Sequence, residues 1–366
     1  MNRIILIGNG FDLAHGLKTS YADFIYWYWK EFGDKLSSGS ASVVEDRLCS
    51  FKLQYGRANW LNTLHFLYPA INPLSPKSGY ELVEIARNDR NLCDFTFKSP
   101  FFEKICEEVE RKNWVDIEDV YYAFLKKCKS PKQLNEDLEF LKNKLVEYLK
   151  SLPNTLINSN IQKQILEPIT EDHLAVEFID EYYNMIVKTP SFSPRNIMLL
   201  NFNYTNMADL YVPTANNFSV NHIHGELSNP KSVIFGYGDE HDDEYQPLMK
   251  KNDNEYLRHI KSFRYLEAAN YRKMLSFIEM DAYQVCIMGH SCGISDRTLL
   301  KKLFEHKNCV SIKPYYHQKD AETDDYWDIV CNIARNISDP SLMRDRVVIK
   351  EHCEPLGQLS QNASNQ

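Results

Sequence analysis

The chain contains 366 residues, of which 43% are hydrophobic and 25% are charged, and its net charge at pH 7 is −8. This composition is typical of globular proteins, and the length predicts either one large domain with an insertion or two domains. The negative charge argues against broad binding to duplex nucleic acid, because clustered lysine and arginine hold phosphate backbones. No stretch approaches the ~20 apolar residues of a membrane span. With nine scattered cysteines, no C-x-x-C pair and no signal peptide, we expect a cytoplasmic protein that is not in a membrane.

The first predicted element is an apolar run over residues 4–7 (IILI), which leads directly into Gly8-Asn9-Gly10, with Gly16 shortly afterwards. The pattern predicts a strand, a tight turn and a helix start. Glycine lets a ligand approach the backbone, and N–H groups at a helix start favour anions. The turn is either a phosphate cradle or purely structural. Its glycine spacing departs from the G-x-G-x-x-G pattern, so the motif alone does not decide between the two. Asp12 could cap the helix or bind a ribose hydroxyl.

A long region with helix-period apolar positions and many lysines and glutamates follows. Residues 103–112, 120–128 and 134–152 are predicted helices, and residues 172–186 look similar. We therefore predict a mainly helical insertion over residues 25–190. The core then comprises residues 1–24 and 191–357, and residues 358–366 form a polar tail.

One acidic stretch of the insertion, residues 113–119 (NWVDIED), could carry a function. Asp116 and Glu118 suit a solvated helix start, where acidic side chains interact favourably with the helix dipole. Alternatively, a carboxylate from this stretch, next to Trp114, could reach a cleft.

A second apolar run, residues 197–200, leads into NFNYTN over residues 201–206. Its amide and hydroxyl groups cost free energy if they are buried without hydrogen-bond partners. Asn203 can donate and accept hydrogen bonds, so it could hold a ribose hydroxyl or an attacking water. A strand end capped by Asx turns would explain the same residues.

Two histidines, His222 and His224, follow in NHIHGE, and they would share one side of an extended segment. An imidazole near its ordinary pKa can accept a proton from a ribose hydroxyl or from water. The alternatives are structural packing and metal binding, the latter with help from the acids and histidine of residues 239–243. We expect no metal, because residues 236–245 have the composition of a solvated loop.

A third apolar run, residues 285–288, leads into GHSCGISD over residues 289–296. Its backbone amides and Ser291 could hold the second end of a nucleotide, and Asp296 is a candidate N-cap. The alternatives are a structural turn and a nucleophilic pair of Cys292 with His290, for which no third member is evident.

These apolar runs lack alternation, which favours parallel strands covered on both faces. Residues 233–235, 310–312 and 347–349 are further strand candidates. Ligands of such sheets bind beyond the carboxyl ends of the strands, where the polar stretches occur. The predicted fold is therefore α/β, with a Rossmann-like parallel sheet, flanking helices and the helical insertion.

Six stretches, taken in order, resemble the bacteriophage abortive infection AbiH family. They are GNGFDLAHGLKTSYADF, NWVDIE, NFNYTN, HIHGEL, IFGYGD and MGHSCGISD, and the match that they mark extends over most of the chain. The resemblance implies a role in stopping phage growth by disabling the infected cell. It does not by itself imply a chemistry.

The same motif order is similar, more distantly, to sirtuin-like domains, which bind NAD at a glycine turn. The resemblance implies that Gly8-Asn9-Gly10 and His15-Gly16-Leu17 lie at the NAD-binding turn, that Asn203 contacts the ribose and that His224 is the base. Gly289-His290-Ser291 would hold the adenosine side. Asp12 replaces the usual serine, Lys18 stands where proline is expected, and no four-cysteine zinc module is present, so protein deacetylation is a poor interpretation.

The resulting hypothesis is hydrolysis of NAD, as substrate, at the nicotinamide–ribose bond, with Asn203 and His224 as catalytic residues. The predicted nucleotide-contacting residues are Gly8, Asn9, Gly10, Phe11, Asp12, Gly16, Thr19, Tyr204, His222, Gly225, Gly289, His290, Ser291 and Asp296. We expect a latent activity gated by the insertion, self-association, and a phage-derived trigger or partner protein.

Two alternatives come from other functional classes. One is a nuclease, with or without metal, in which Asp12, Glu118, His222, His224 and Asp239 share a cleft. The other is a nucleotide-sensing module that binds without turnover, for which ligand-dependent stabilisation is the signature.

Overall fold

A computed structural model describes residues 1–38, 42–54, 78–112, 116–178, 191–213 and 217–358. The chain divides into two compact units, one formed by residues 1–19 with 152–366 and the other by residues 20–151. No helix within the described ranges is long and apolar enough to cross a lipid bilayer.

The strands, in chain order, are β1 Asn2–Ile7, β2 Val43–Glu45, β3 Cys49–Leu53, β4 Cys93–Phe97, β5 Ile197–Asn201, β6 Phe218–His222, β7 Tyr283–Met288 and β8 Cys309–Tyr315. The α-helices are α1 Asn9–Ala14, α2 Tyr21–Ser38, α3 Ser78–Asn88, α4 Pro100–Lys112, α5 Ile117–Lys127, α6 Lys132–Ser151, α7 Ser159–Ile165, α8 Tyr245–Met249, α9 Lys261–Arg264, α10 Asn270–Met280, α11 Arg297–Phe304, α12 Tyr326–Asn336 and α13 Pro340–Arg346.

The first unit is built on a five-stranded parallel sheet in the order β6-β5-β1-β7-β8. Strand β1 is buried along its whole length, as expected for an apolar run covered on both faces. After β1 the chain adds strands on one side of it and then crosses to add β7 and β8 on the other. This reversal places a topological switch point between β1 and β7, where ligands of open α/β sheets usually bind. The predicted α/β, Rossmann-like fold is confirmed.

Alternating side chains of β1 supply the two faces of the sheet. Ile4 and Leu6 face a core that includes residues of α10, α11 and α12. Ile5 and Ile7 face a second core that includes residues of α1 and α7. Because neither face is exposed, polar groups that belong to the sheet can reach a ligand only at the strand ends.

The second unit is mainly helical, with α2 to α6, and it also holds an antiparallel sheet in the order β2-β3-β4. Its buried centre is aromatic: Trp29 lies within ring-contact distance of Phe32, Phe51 and Phe102. Three predicted helices correspond to α4, α5 and α6. The antiparallel sheet was not predicted.

Several sequence expectations differ from the structure. The mainly helical unit covers residues 20–151 instead of 25–190, because Ile161 and Ile165 of α7 pack in the core on one face of the parallel sheet. Residues 233–235 are irregular, and Val347 forms only an isolated bridge to Ile312. Of residues 172–186, the last eight lie outside the described residues.

Candidate active site

The carboxyl ends of the five parallel strands lie in one row. Ile7 pairs with Asn201 on one side and with Met288 on the other, while Asn201 pairs with His222 and Met288 with Tyr315. The polar stretches that follow these residues therefore meet at one edge of the sheet. This edge forms the candidate site.

The turns after β1 and β7 pack against each other, backbone to backbone. The Gly8 amide donates to the Met288 carbonyl at 3.3 Å, and the Gly10 amide donates to the Gly289 carbonyl at 2.8 Å. Gly289 has a φ of +74°, and a Cβ there would lie 2.0 Å from the Phe11 nitrogen. The glycines thus allow close packing of two turns, and the Gly8 and Gly10 amides are already used by protein acceptors.

Asn203 connects the second polar stretch to the glycine turn. Its Nδ2 donates to the Gly8 carbonyl at 2.9 Å, and its backbone amide donates to Asn201 Oδ1 at 3.0 Å. The side chain is partly exposed. Asn203 therefore lies at the mouth of the turn with a fixed orientation.

Asp12 is a buried acid beside the same turn. The Thr205 hydroxyl donates to its Oδ2 at 2.6 Å, and its Oδ1 is buried with no hydrogen-bond partner among the described residues. Burial raises the pKa of Asp12 to about 7, although the Thr205 and Asn203 side chains act in the opposite direction. Near neutral pH this carboxyl group can therefore give up or accept a proton.

His222 and His224 do not share a side, because β6 ends at His222 and the chain then turns. His222 contacts Asn201 through Nδ1, at 3.3 Å, and Asp209 through Nε2, at 3.1 Å. The expectation of a shared side is therefore wrong.

His224 belongs to a buried ionic cluster, which comprises His224, Lys261, Tyr265, His290 and Asp296. Lys261 Nζ lies 2.8 Å from Asp296 Oδ1, and the lysine is fully buried. His224 Nε2 lies 3.2 Å from Asp296 Oδ1 and 3.2 Å from the Tyr265 hydroxyl. His290 Nε2 faces the other Asp296 oxygen at 3.8 Å. This cluster is linked to the turn after β1 because Gly8 contacts the His290 backbone.

Burial sets the protonation states of the cluster. It lowers the pKa of His224, and it lowers the pKa of His290 to about 4, so both rings are neutral near pH 7. Burial alone would raise the pKa of Asp296, but the Lys261 ammonium and the His224 ring hold it well below its usual value. The Lys261–Asp296 pair therefore carries the charges, and the two histidines are neutral.

A cavity of about 290 Å³ opens at the switch point, and its lining includes Gly10 and Ala14 of α1 and Gly289, His290 and Ser291 of the turn after β7. The exposed Ser291 is held by Asn332, whose amide donates to the Ser291 carbonyl at 2.8 Å. The predicted nucleotide-binding turn residues thus border an open space.

The remaining predicted contact residues have varied surroundings. Phe11 is fully buried, with its ring near Tyr211, whereas Gly16 is exposed. The Tyr204 hydroxyl donates to the Ile234 carbonyl at 3.0 Å. Gly225 packs against the Ser232 carbonyl with a φ of +82°, and Thr19 has a buried hydroxyl with no partner among the described residues. Asn9 is the first residue of α1.

The structure gives no support to the nucleophilic pair of Cys292 and His290. The Cys292 thiol is buried, and burial raises its pKa well above the usual value, which disfavours the thiolate. His290 Nδ1 accepts a hydrogen bond from the Cys292 backbone amide, not from the thiol.

The residues of the nuclease alternative have separate partners. Asp12 binds Thr205, His222 binds Asp209, and Asp239 faces Arg297 at 3.3 Å. Within the described ranges, no group of three or more histidine, cysteine, aspartate or glutamate side chains is arranged to hold a metal ion.

In the helical unit, Asp116 is the N-cap of α5 and accepts from the Glu118 and Asp119 amides, which confirms the predicted helix start. Glu118, however, is buried and not solvated as expected. Trp114 lies outside the described residues.

Sequence reasoning missed Lys261, Tyr265 and Thr205. Lys261 and Tyr265 occur in an ordinary polar stretch, and no spacing or composition signal marks them. Thr205 stands within the NFNYTN motif, and its hydroxyl could have been matched to Asp12 only with the fold in hand.

A Rossmann-like parallel sheet with a glycine turn, an amide and neutral histidines at its switch point defines the class: an α/β protein with a candidate functional site at the carboxyl edge of its sheet. Comparison with family models identifies the family. The model of the bacteriophage abortive infection AbiH family matches residues 4–317, so the chain belongs to that family. Comparisons with curated proteins and with solved structures gave no match.

Proposed function

We propose that this abortive-infection protein hydrolyses NAD at the nicotinamide–ribose bond. Membership of the AbiH family supports the role in stopping phage infection. One observation supports the chemistry: Gly8, Asn203, His224 and Gly289, which are far apart in sequence, lie at one sheet edge around the switch point.

The reaction breaks the bond between ribose C1′ and the nicotinamide nitrogen, and the bonding electron pair neutralises the positively charged ring. Water then attacks C1′ of the oxocarbenium-like ribose and gives its proton to a base. Asn203 is suited to orient the ribose or the water, because its side chain is fixed at the mouth of the glycine turn. Neutral His224 is suited to accept the proton.

The closed state of the cluster fits a latent enzyme. His224 is only 4% exposed, and its Nε2 faces Asp296 and the Tyr265 hydroxyl. The ring is therefore closed to a substrate in this structure. We therefore expect low basal turnover and an increase when the site opens.

Purified protein is incubated with NAD, and free nicotinamide and ADP-ribose are quantified by chromatography. We expect both products, and His224→Gln should lower the rate about 10²–10⁴-fold, the usual contribution of a general base. Asn203→Asp should also lower it, because the amide donor to Gly8 is lost.

The matched control is His306→Gln, since His306 is equally buried but precedes β8 at the opposite end of the sheet and binds Glu279. Normal turnover in His224→Gln would remove His224 from the mechanism. Ligand-dependent stabilisation without product would indicate the sensing module, and RNA or DNA cleavage without NAD loss would indicate the nuclease.

A further inference from the structure

The cavity at the switch point has a polar wall that the proposed reaction does not use. Besides the glycine turns, its lining includes the apolar side chains of Leu13, Ile329 and Leu356, and the polar side chains of His317 and Asp325. Its volume of about 290 Å³ is just below the range for small-molecule sites, which is about 300–1,000 Å³. The space suits a nucleoside, not a complete dinucleotide.

Asp325 is the acidic group of this wall. It is the N-cap residue of α12, yet its side chain makes no capping hydrogen bond. Instead, Oδ1 accepts the His317 backbone amide at 2.6 Å, which fixes the carboxylate beside the cavity. Half-burial raises the pKa of Asp325, since water only partly screens its charge.

A fixed carboxylate and apolar walls favour one kind of occupant. Apolar side chains can cover a flat purine ring, while a carboxylate oxygen can accept hydrogen bonds from sugar hydroxyls. The same carboxylate would repel a phosphate group at that position. The negative charge of Asp325 therefore discriminates between a nucleotide with a free sugar hydroxyl and one that carries a phosphate at the same position.

We propose that this cavity holds the adenosine half of the dinucleotide and that Asp325 selects a free 2′-hydroxyl, so that NAD is accepted and NADP rejected. The inference rests on the proposed function for the identity of the dinucleotide. The adenosine ribose donates a hydrogen bond to Asp325, and the adjoining phosphates lie toward the turns of Gly10 and Gly289.

Isothermal titration calorimetry on the full chain compares adenosine 5′-monophosphate with adenosine 2′,5′-bisphosphate, which adds only the 2′-phosphate. We expect the bisphosphate to bind about tenfold or more weakly, because like charges in a partly desolvated site are costly. In Asp325→Asn, which keeps an acceptor for the His317 amide, the two affinities should fall within about threefold of each other.

The matched control is Asp328→Asn, which removes an equal charge from an exposed position three residues further along the chain. It should keep the wild-type ratio. Equal affinities in the wild-type chain, no binding of the monophosphate, or an equal change in Asp328→Asn would each overturn the inference. The wild-type comparison decides the question even if a variant fails to fold.

Nicotinamide release from NAD and NADP, measured on the same preparation, separates this inference from the proposed function. Selective binding of the monophosphate without nicotinamide release would contradict NAD hydrolysis and leave the cavity assignment intact. Equal cleavage of NAD and NADP would contradict the role of Asp325 and leave the hydrolysis intact.

Discussion

Asp12 combines complete burial with a position at the mouth of the glycine turn. Its Oδ2 accepts a hydrogen bond from the Thr205 hydroxyl, while its Oδ1 has no partner among the described residues. A buried carboxylate without a cationic partner is destabilising. We therefore interpret Asp12 as a residue retained for function at a cost in stability, and this interpretation can be tested through pH.

The stability cost of Asp12 should depend on pH in a defined direction. The folded-state pKa is about 7 and the ordinary value is 3.8, so the folded chain binds this proton more tightly than the unfolded chain. The contribution of Asp12 to stability is therefore fully present below about pH 4 and is lost as pH rises to about 7.

Asp12→Asn keeps an acceptor for the Thr205 hydroxyl and removes this cost. Thermal and denaturant unfolding should show the variant more stable than wild type at pH 8, by roughly 2–4 kcal/mol, and nearly equal at pH 4. The variant should also lose nicotinamide release if Asp12 binds the ribose. An equal stability difference at both pH values would contradict the raised pKa.

Individual site residues could be predicted from the sequence where a strand end marked them. Asn203 was singled out because polar residues after an apolar run are costly unless they have partners, whereas His224 was singled out as one of two histidines in NHIHGE. Lys261 was not found, because a buried lysine needs a specific anion, Asp296, which lies 35 residues away in the chain. Asp325 was missed for the same reason: only the fold brings it beside the glycine turns.

At the level of elements, the two glycine turns act as one packing unit. The turn after β1 and the turn after β7 approach more closely than any side chain allows, and their amide and carbonyl groups are bonded to each other. The glycines are thus explained by packing at the switch point, and the cavity lies beside the paired turns.

Replacement of Gly289 by alanine should disrupt this pairing. The new Cβ would lie 2.0 Å from the Phe11 nitrogen, a backbone atom that cannot move away without displacing α1. Urea unfolding should show a loss of more than about 3 kcal/mol, from steric overlap added to the strain of a positive φ.

Gly16→Ala is the matched control, because Gly16 has a similar φ of +77° but open space around its Cβ position. It should cost only about 1–3 kcal/mol, the cost of the backbone conformation. If both variants lost the same stability, the packing explanation would be wrong and conformational strain alone would account for Gly289.

Strands differed in how well the sequence marked them. β1, β5 and β7 are buried throughout and appear as continuous apolar runs. β6 lies at the sheet edge and is only partly buried, so its sequence, FSVNH, lacks such a run. The strands β3 (CSFKL) and β4 (CDFTF) do alternate apolar and polar residues, as half-buried strands should. They were missed because the prediction rested on continuous apolar runs, and β2 has only three residues.

At the scale of the whole chain, the helical unit is inserted between α1 and the rest of the sheet unit. Both cores of the sheet unit consist entirely of its own residues. The segments that flank residues 20–151 also lie near each other within the sheet unit, since the Thr155 hydroxyl donates to the His15 carbonyl at 3.1 Å. The sheet unit should therefore fold without residues 20–151.

Replacing residues 20–151 with a short Gly/Ser linker tests the predicted gating role of the insertion. We expect a folded protein with one cooperative unfolding transition and a basal rate of nicotinamide release at least about tenfold above that of the full chain, because an inhibitory state is removed. His224→Gln in the shortened chain should abolish the increase. A folded protein with unchanged turnover would show that the insertion does not restrain the site, and the closed His224 cluster would then have to be opened from within the sheet unit itself.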